Sequence, residues 1–160
     1  MLLPAVSLRE ITFETVRQIT ALDVTDQQRG YVASNAVSIA EAHFNPGAWF
    51  RAVYAADEPV GFVMLLDPDA PGALVRSPIS PQSIALWRLM IDHRHQHKGY
   101  GRQTLDLIFA HVRVNLRAKR IISSYVPGAH GPEAFYLRYG FHGTGGFRAD
   151  GCEIEISKDL

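Results

Sequence analysis

One short segment in the middle of the chain could bind an anion through its backbone. It consists of Gln96, His97, Lys98, Gly99, Tyr100, Gly101 and Arg102. Glycine allows the chain to turn sharply and brings amide N–H groups close to a ligand. The unpaired amides and the dipole of a helix start then favour a phosphate. The segment precedes an amphipathic stretch, so we expect an anion such as a phosphate to bind at the start of a helix.

The charges around this segment support the same hypothesis. A helix start normally favours Asp or Glu, but here Lys98 and Arg102 are present and no acid occurs before Asp106. The dinucleotide-binding G-x-G-x-x-G pattern is absent, and the lysine precedes the glycines instead of ending a P-loop. A glycine-rich turn with exposed basic residues remains the alternative interpretation.

Three alternating histidines lie beside the glycines and suggest a different chemistry. On an extended chain, His93, His95 and His97 would present three imidazoles on one side, where zinc or copper could bind. No cysteine or clear acidic ligand lies nearby. We therefore expect a solvated loop and no metal.

Apolar periodicity predicts the elements that must position these residues. Strands are predicted at 6–11, 49–55, 60–66, 84–91, 121–125 and 152–157. Helices are predicted at 15–22, 26–32, from a cap at Asn35 or Ser38 to Phe44, through Leu105 to Leu116, and at 132–138. Residues 67–82 contain four prolines and form a predicted loop, long enough to be functional. The order of elements predicts an α/β fold around a mixed sheet.

Composition limits the classes of protein that the chain could be. Its 160 residues fit one domain, and 47% apolar with 20% charged residues is typical of a globular protein. With 16 basic and 16 acidic residues, the usual electrostatic argument for nucleic acid or a membrane surface fails. The apolar run at 60–66 is too short to span a membrane, and Cys152 alone excludes an internal disulfide. Without a recognisable signal peptide, we expect a cytoplasmic protein.

Three segments together resemble a known family. Gln96, Gly99 and Gly101 match the Q/R-x-x-G-x-G/A loop of the GNAT superfamily of N-acetyltransferases. Residues 86–92 look like the strand before that loop, and residues 135–141 look like its F-Y-x-x-x-G-F signature. The combination is most similar to the bacterial spermidine and diamine acetyltransferase-like branch. The resemblance implies one GNAT domain over residues 1–160, with a mixed, mostly antiparallel sheet flanked by helices on both faces.

The resemblance also implies how the reaction would proceed. Acetyl-CoA is the expected co-substrate, with its diphosphate on residues 96–102 and no metal required. The pantetheine arm would follow the strand that carries Leu89, Met90 and Ile91. Tyr136 would be the general acid for the departing thiolate, although a core aromatic is the alternative for this residue. The acetyl group would pass directly to a bound amine in a ternary complex.

The acceptor end is less well defined by the sequence. Some relatives have a Glu on the strand before the loop, where this chain has Trp87 and Arg88. Glu41 or a chain of waters is therefore the expected base, with His130 a weaker alternative. A polyamine such as spermidine is the favoured small-molecule acceptor, and acids that could bind it are Glu41, Asp67, Asp69, Asp23 and Asp26.

Several alternatives remain open. An aminoglycoside or a peptide amine could replace the polyamine as the acceptor. A non-catalytic sensor that binds acyl-CoA could use the same fold. We expect no nucleic acid or membrane partner, and a homodimer is possible.

Overall fold

The computed structural model of the chain describes residues 4–76, 78–149 and 151–160. Within these ranges the strands are β1 (Val6–Arg9), β2 (Ala48–Ala55), β3 (Glu58–Leu66), β4 (Ser83–Ile91), β5 (Arg120–Tyr125), β6 (His142–Arg148) and β7 (Glu153–Asp159). The α-helices are α1 (Val16–Thr20), α2 (Asn35–His43), α3 (Tyr100–Asn115) and α4 (Glu133–Tyr139). None of the described helices is long and apolar enough to cross a membrane.

The strands form one sheet in the order β1-β2-β3-β4-β5-β7-β6. Every neighbouring pair is antiparallel except β4 and β5, which are parallel. Ile19 of α1 and Ala42 of α2 pack on one face, whereas Leu105 of α3 and Tyr136 of α4 pack on the other. The predicted fold, a mostly antiparallel sheet with helices on both faces, is confirmed.

The sheet opens between β4 and β5. Only three residue pairs join these strands, from Ser83 opposite Arg120 to Ala85 opposite Ile122. β4 continues to pair with β3 as far as Ile91, so the two parallel strands diverge beyond Ala85. The buried Ser123 hydroxyl donates a hydrogen bond of 3.0 Å to the Leu86 carbonyl and closes the point of divergence. The strand edges beyond this point form a gap in the middle of the sheet.

A β-bulge in β4 determines which side chains reach each face. Met64 pairs with Arg88 but the next residue, Leu65, pairs with Leu86, so Trp87 is the extra residue. Regular alternation would send Trp87 and Arg88 to opposite faces. In the bulge both point to the α1/α2 face, where Trp87 packs in the apolar core and Arg88 contacts α2. The predicted strand is correct, but the bulge at Trp87 interrupts its alternation and turns Arg88 towards α2.

The loop at 67–82 forms no helix or strand in its described residues, as predicted. The buried side chain of Asn45 fixes it, donating to the Leu74 carbonyl and accepting from the Leu74 amide, each at 3.0 Å. Leu74, Val75 and Ile79 therefore lie over the α1/α2 side of the gap and line the cavity there.

Some predicted boundaries were wrong. The cap of α2 is Ser34, whose hydroxyl accepts from the Val37 amide at 3.3 Å, whereas Asn35 and Ser38 are buried within the helix. The predicted helix at 26–32 is only a 3-10 turn over Asp26–Gln28. Strand β6 was not predicted, since it contains three glycines in seven residues and glycine has low strand propensity.

Candidate active site

A cavity of about 1390 Å³ passes through the gap in the sheet. Its walls include β4 from Ala85 to Ile91, β5 from Ile122 to Tyr125, and the start of α3. Pockets for a single small ligand usually measure about 300–1000 Å³. This cavity is therefore large enough for two substrates bound side by side.

The start of α3 forms one end of the cavity and has the features of an anion site. Gly99 is the N-cap with a φ of +80°, a left-handed conformation that glycine adopts without strain. The first amides of α3 have no partner within the helix, and no acidic residue lies in its first turn. A Cβ built on Gly99 meets nothing within 4 Å. These features fit the diphosphate of CoA.

The sequence-predicted residues around this helix start have different roles. His97, Gly99, Tyr100, Gly101 and Arg102 line the cavity, but Lys98 is not among the described lining residues. Tyr100 is buried in the core under α3, so only its backbone is available to a ligand. His97 has a φ of +61°, which is unusual for a residue with a side chain.

The side chain of Gln96 stabilises the loop. Its amide nitrogen donates to the Ile91 carbonyl at 3.0 Å and to Gln28 at 2.9 Å. Gln28 donates back to the Gln96 oxygen at 3.2 Å. The glutamine that carries part of the family resemblance therefore anchors the loop to the end of β4 and to the segment after α1.

Asp92, at the end of β4, fixes the loop from its other side. It is buried and accepts hydrogen bonds from the Asp23 amide, the Arg94 amide and the Arg94 guanidinium. Burial alone would raise the pKa of Asp92, but these three donors outweigh it and lower the pKa from 3.8 to about 2. The carboxylate form thus stabilises the folded loop.

Replacing Asp92 with Asn should lower the free energy of unfolding at pH 7 by roughly 2 kcal/mol, the equivalent of the pKa shift. Because the folded pKa is lowered, this contribution is present above pH ~4 and is lost as the pH falls towards 2. Urea unfolding of both proteins at several pH values measures the difference. The exposed Asp57→Asn is the control and should change stability little. A difference that is constant from pH 7 to pH 2 would contradict the assignment.

The three histidines do not share one side of an extended chain. His93 and His95 belong to a 3-10 turn, and His95 is buried with its Nε2 3.4 Å from a Glu58 carboxylate oxygen. His93 and His97 are exposed. The extended geometry considered for a metal site is therefore wrong, and no cluster of three metal-ligating side chains occurs in the part of the chain that the structure describes.

Tyr136 lies in the wall of the cavity, on α4. It is 6% exposed and its ring packs against Phe135 and Phe141. Burial raises the pKa of Tyr136 to about 12, and the neighbouring Ser123 hydroxyl offsets a part of this effect. The hydroxyl is therefore protonated at neutral pH and lies near the point where β4 and β5 diverge. Tyr136 is thus a core aromatic that also faces the cavity, and its role as a general acid stays a prediction.

A polar cluster lies at the other end of the cavity, on the α1/α2 face of the sheet. Arg88 donates from Nη2 to Glu41 of α2 at 3.0 Å and from Nη1 to the Trp87 carbonyl at 3.0 Å. Ser124 of β5 donates to Glu153 of β7. Ile154 and Ile156 of β7 pack in the core under α3. Since neighbouring residues of a strand alternate between its faces, Glu153 points to the opposite face, towards Arg88. Among the described lining residues, Glu41 and Glu153 are the carboxylates.

Most of the acids expected to bind an acceptor lie elsewhere. Asp67 and Asp69 are not among the described residues that line the cavity, and Asp67 instead accepts from the Asp69 amide at 3.0 Å in a turn. Asp23 and Asp26 both pair with Arg29, at 2.9 Å and 3.1 Å. Among the acids that the sequence suggested for binding the acceptor, Glu41 is the one that occurs in the described lining of the cavity.

Sequence reasoning missed Glu153 and Ser123. Alternation in the predicted strand at 152–157 places Glu153 on the polar face, but it does not show that a cavity lies over that face. Ser123 lies within a strand that was predicted from its apolar residues, so it was not considered as a site residue. A short polar pair inside an otherwise apolar strand, Ser123 and Ser124, was the available signal.

The divided sheet, the glycine N-cap of α3 at the gap and the buried Tyr136 in the cavity wall are compatible with a transferase that uses an acyl-CoA donor. The model of the acetyltransferase (GNAT) domain matches residues 46–143, which is more than half of the chain. The chain belongs to the GNAT acetyltransferase family and is an N-acetyltransferase.

Individual relatives are distant. The chain is 23% identical to spermine/spermidine N(1)-acetyltransferase of Bacillus subtilis (strain 168), over 96% of this chain and 99% of that protein. An acetyltransferase of Thermus thermophilus has a TM-score of 0.71 at 16% identity, with both chains covered completely. The aminoglycoside acetyltransferase AAC(6′)-Ib in complex with coenzyme A has a TM-score of 0.75 at 13% identity, covering 97% of this chain and 95% of that one. At these identities the structural matches show the fold.

Proposed function

We propose that this protein transfers the acetyl group of acetyl-CoA directly to the primary amine of a small molecule. The observation that carries the proposal is the single cavity that connects the start of α3 with the polar cluster on the other face of the sheet. One substrate can enter from each side, so their reactive groups meet in the gap between β4 and β5. Family membership and the CoA-bound AAC(6′)-Ib neighbour support the same donor.

The donor site uses mainly backbone groups. The first amides of α3 would bind the diphosphate, with Arg102 beside them. The edge of β4 at Leu89, Met90 and Ile91 is not paired with β5, so its amides and carbonyls can bind pantetheine as an added strand would. Bound acetyl-CoA supplies an activated thioester carbonyl, and a β4 amide can polarise it.

Two proton transfers are required, and the cavity offers a group for each. Tyr136 arrives protonated and can donate its hydroxyl proton to the departing thiolate. The amine must lose a proton, and either cavity carboxylate could accept it. Protonation of Glu41 would break its ion pair with Arg88. Glu153 is bonded to the Ser124 hydroxyl, which can reorient to serve either protonation state. Glu153 is therefore the better placed base.

The two carboxylates give a matched pair of variants. Glu153→Gln should lower kcat by about 10²-fold at neutral pH, the usual effect of losing a general base. The loss should shrink as the pH approaches the pKa of the amine, because the amine then arrives neutral. Glu41→Gln should mainly raise the KM for the amine, since Arg88 loses its partner. Initial rates of both variants, measured across pH, show which carboxylate is the base. The reverse pattern would assign the base to Glu41.

The polyamine acceptor depends on the Bacillus subtilis relative and on the resemblance of the motifs. The predicted acidic residues Asp67 and Asp69 do not add support, because they are not among the described residues that line the cavity. The aminoglycoside enzyme among the structural neighbours keeps that acceptor class as an alternative.

A thiol-release assay with acetyl-CoA and a panel of amines tests the proposed function. The panel contains spermidine, putrescine, an aminoglycoside, amino acids and a short peptide. We expect turnover with at least one amine, with thiol and acetylated amine formed in equal amounts. Tight binding of acetyl-CoA without turnover on any amine would instead indicate a sensor.

A further inference from the structure

Arg88 is partly buried and has N–H donors that no described contact uses. Its side chain is 20% exposed, and the bulge at Trp87 directs it to the acceptor end of the cavity. A guanidinium has five N–H donors, but the described contacts use Nη1 and Nη2 once each. Its buried Nε has no hydrogen-bond partner among the described residues. A buried donor is normally satisfied, and each Nη atom also keeps one N–H group that no described contact uses. Arg88 can therefore still bind an acceptor at the part of its guanidinium that faces the cavity.

The charges around Arg88 do not suit a polycation. The described cavity lining at this end has three arginines, Arg76, Arg88 and Arg148, and two glutamates, Glu41 and Glu153. Arg148 is held by Glu155 at 2.9 Å, and Glu41 is held by Arg88. Of the two cavity glutamates, Glu153 is the one without an ion pair within the described part of the chain, and we have assigned it to proton transfer. A spermidine molecule with three positive charges would lack partners here.

We propose, resting on the function proposed above, that the acceptor carries a carboxylate close to the reacting amine and that Arg88 binds it. A carboxylate offers two oxygens to two guanidinium N–H groups, which gives short and well-oriented hydrogen bonds. Arg88 then holds the carboxylate while Glu153, on the same face of the sheet, receives the proton of the amine. The substrate class is an amino acid or a similar zwitterion.

The apolar residues around this end give room for the rest of such a molecule. Phe44 at the end of α2 and Leu74 and Val75 of the 67–82 loop line the cavity and remain exposed. An amino acid with an apolar side chain could bury these surfaces when it binds. L-Phenylalanine is accordingly the first probe.

Pairs of amines that differ only by an anionic group test the proposal. The pairs are L-phenylalanine with phenethylamine, L-lysine with cadaverine, and O-phosphoethanolamine with ethanolamine. Acetylation rates give kcat/KM, and calorimetry with the CoA-bound protein gives affinity without requiring turnover. We expect the carboxylate-bearing member to be preferred by about tenfold or more, as expected for a charge-assisted hydrogen bond.

Variants of Arg88 connect this preference to the residue. Arg88→Gln should remove the preference, and Arg88→Lys should restore a part of it. Because Arg88→Gln leaves Glu41 without its partner, the double variant with Glu41→Gln repeats the measurement without an unpaired buried charge. Replacement of the exposed Arg117 with Gln is the control and should leave the preference unchanged.

The outcomes distinguish failure of the carboxylate inference from failure of the acetyltransferase function. Preference for cadaverine, phenethylamine or spermidine over the amino acids would overturn the carboxylate inference but leave the acetyltransferase function in place. Preference for phosphoethanolamine that depends on Arg88 would replace the carboxylate with a phosphate. If no amine is acetylated, the proposed function fails, and the calorimetric affinities alone confirm or overturn carboxylate binding by Arg88.

Discussion

Gly99→Asp should weaken acetyl-CoA binding by about 100-fold or more. Residue 99 is the N-cap of α3 and lines the cavity, and a Cβ added there meets nothing within 4 Å. A carboxylate in that space would lie where the diphosphate is proposed to bind. Like charges about 4 Å apart repel by about 4 kcal/mol at an effective dielectric constant near 20, which is more than 100-fold in affinity. Calorimetric titration with acetyl-CoA measures the loss.

The control for this variant is Gly99→Asn. Both side chains have nearly the same size, and both tolerate a left-handed conformation such as the φ of +80° at this position better than most residues. Backbone strain is therefore similar in the two variants, and their difference reports charge. Equal affinities in the Asp and Asn variants would exclude the start of α3 as the diphosphate site.

Tyr136→Phe should lower kcat by about 10²-fold with little change in the affinity for acetyl-CoA, the effect expected for losing a general acid. The substitution removes the hydroxyl and keeps the ring, which packs against Phe135 and Phe141. Since the pKa of Tyr136 is raised to about 12, the hydroxyl carries its proton throughout the neutral range. The loss should therefore be the same at every pH across that range, unlike the loss expected for Glu153→Gln. Steady-state rates with saturating acetyl-CoA give the comparison.

Tyr139→Phe is the matched control for this variant. It removes a hydroxyl from the same helix, one that donates to the exposed Asp106 at 2.8 Å and does not face the cavity. We expect kcat to be unchanged. If both tyrosine variants keep full activity, Tyr136 is only a core residue and another group must protonate the thiolate.

The fold was predictable because its main signals are local. The apolar run of β4 and the helical periodicity from Leu105 to Leu116 both gave the correct elements. β6 was missed because Gly143, Gly145 and Gly146 carry no strand signal, and pairing with β7 forms the strand instead. The cap of α2 is Ser34 instead of the predicted Asn35 or Ser38, since all three are plausible caps until packing decides which are buried.

The site was predictable at its donor end and less so at its acceptor end. The donor end uses one continuous segment, residues 96–102, whose glycines and charges are visible in the sequence. The acceptor end brings together Glu41, Arg88 and Glu153 from α2, β4 and β7, and no local pattern links these residues. The bulge at Trp87 is also invisible, because it depends on the register with β3. Loop acids were therefore chosen for charge alone, and Asp67 and Asp69 are not among the described residues that line the cavity.

The divergence of β4 and β5 gives this sheet two internal edges in addition to its outer ones. An unpaired strand edge normally invites association with another chain, and proteins protect such edges with charges, prolines or short strands. Here Arg88 is the charged residue on the unpaired part of β4, whereas Leu89, Met90 and Ile91 at its end are apolar. The edge is instead enclosed by the walls of the cavity. The cavity thus covers an apolar strand edge that would otherwise favour aggregation. The same edge stays accessible to a narrow, linear molecule.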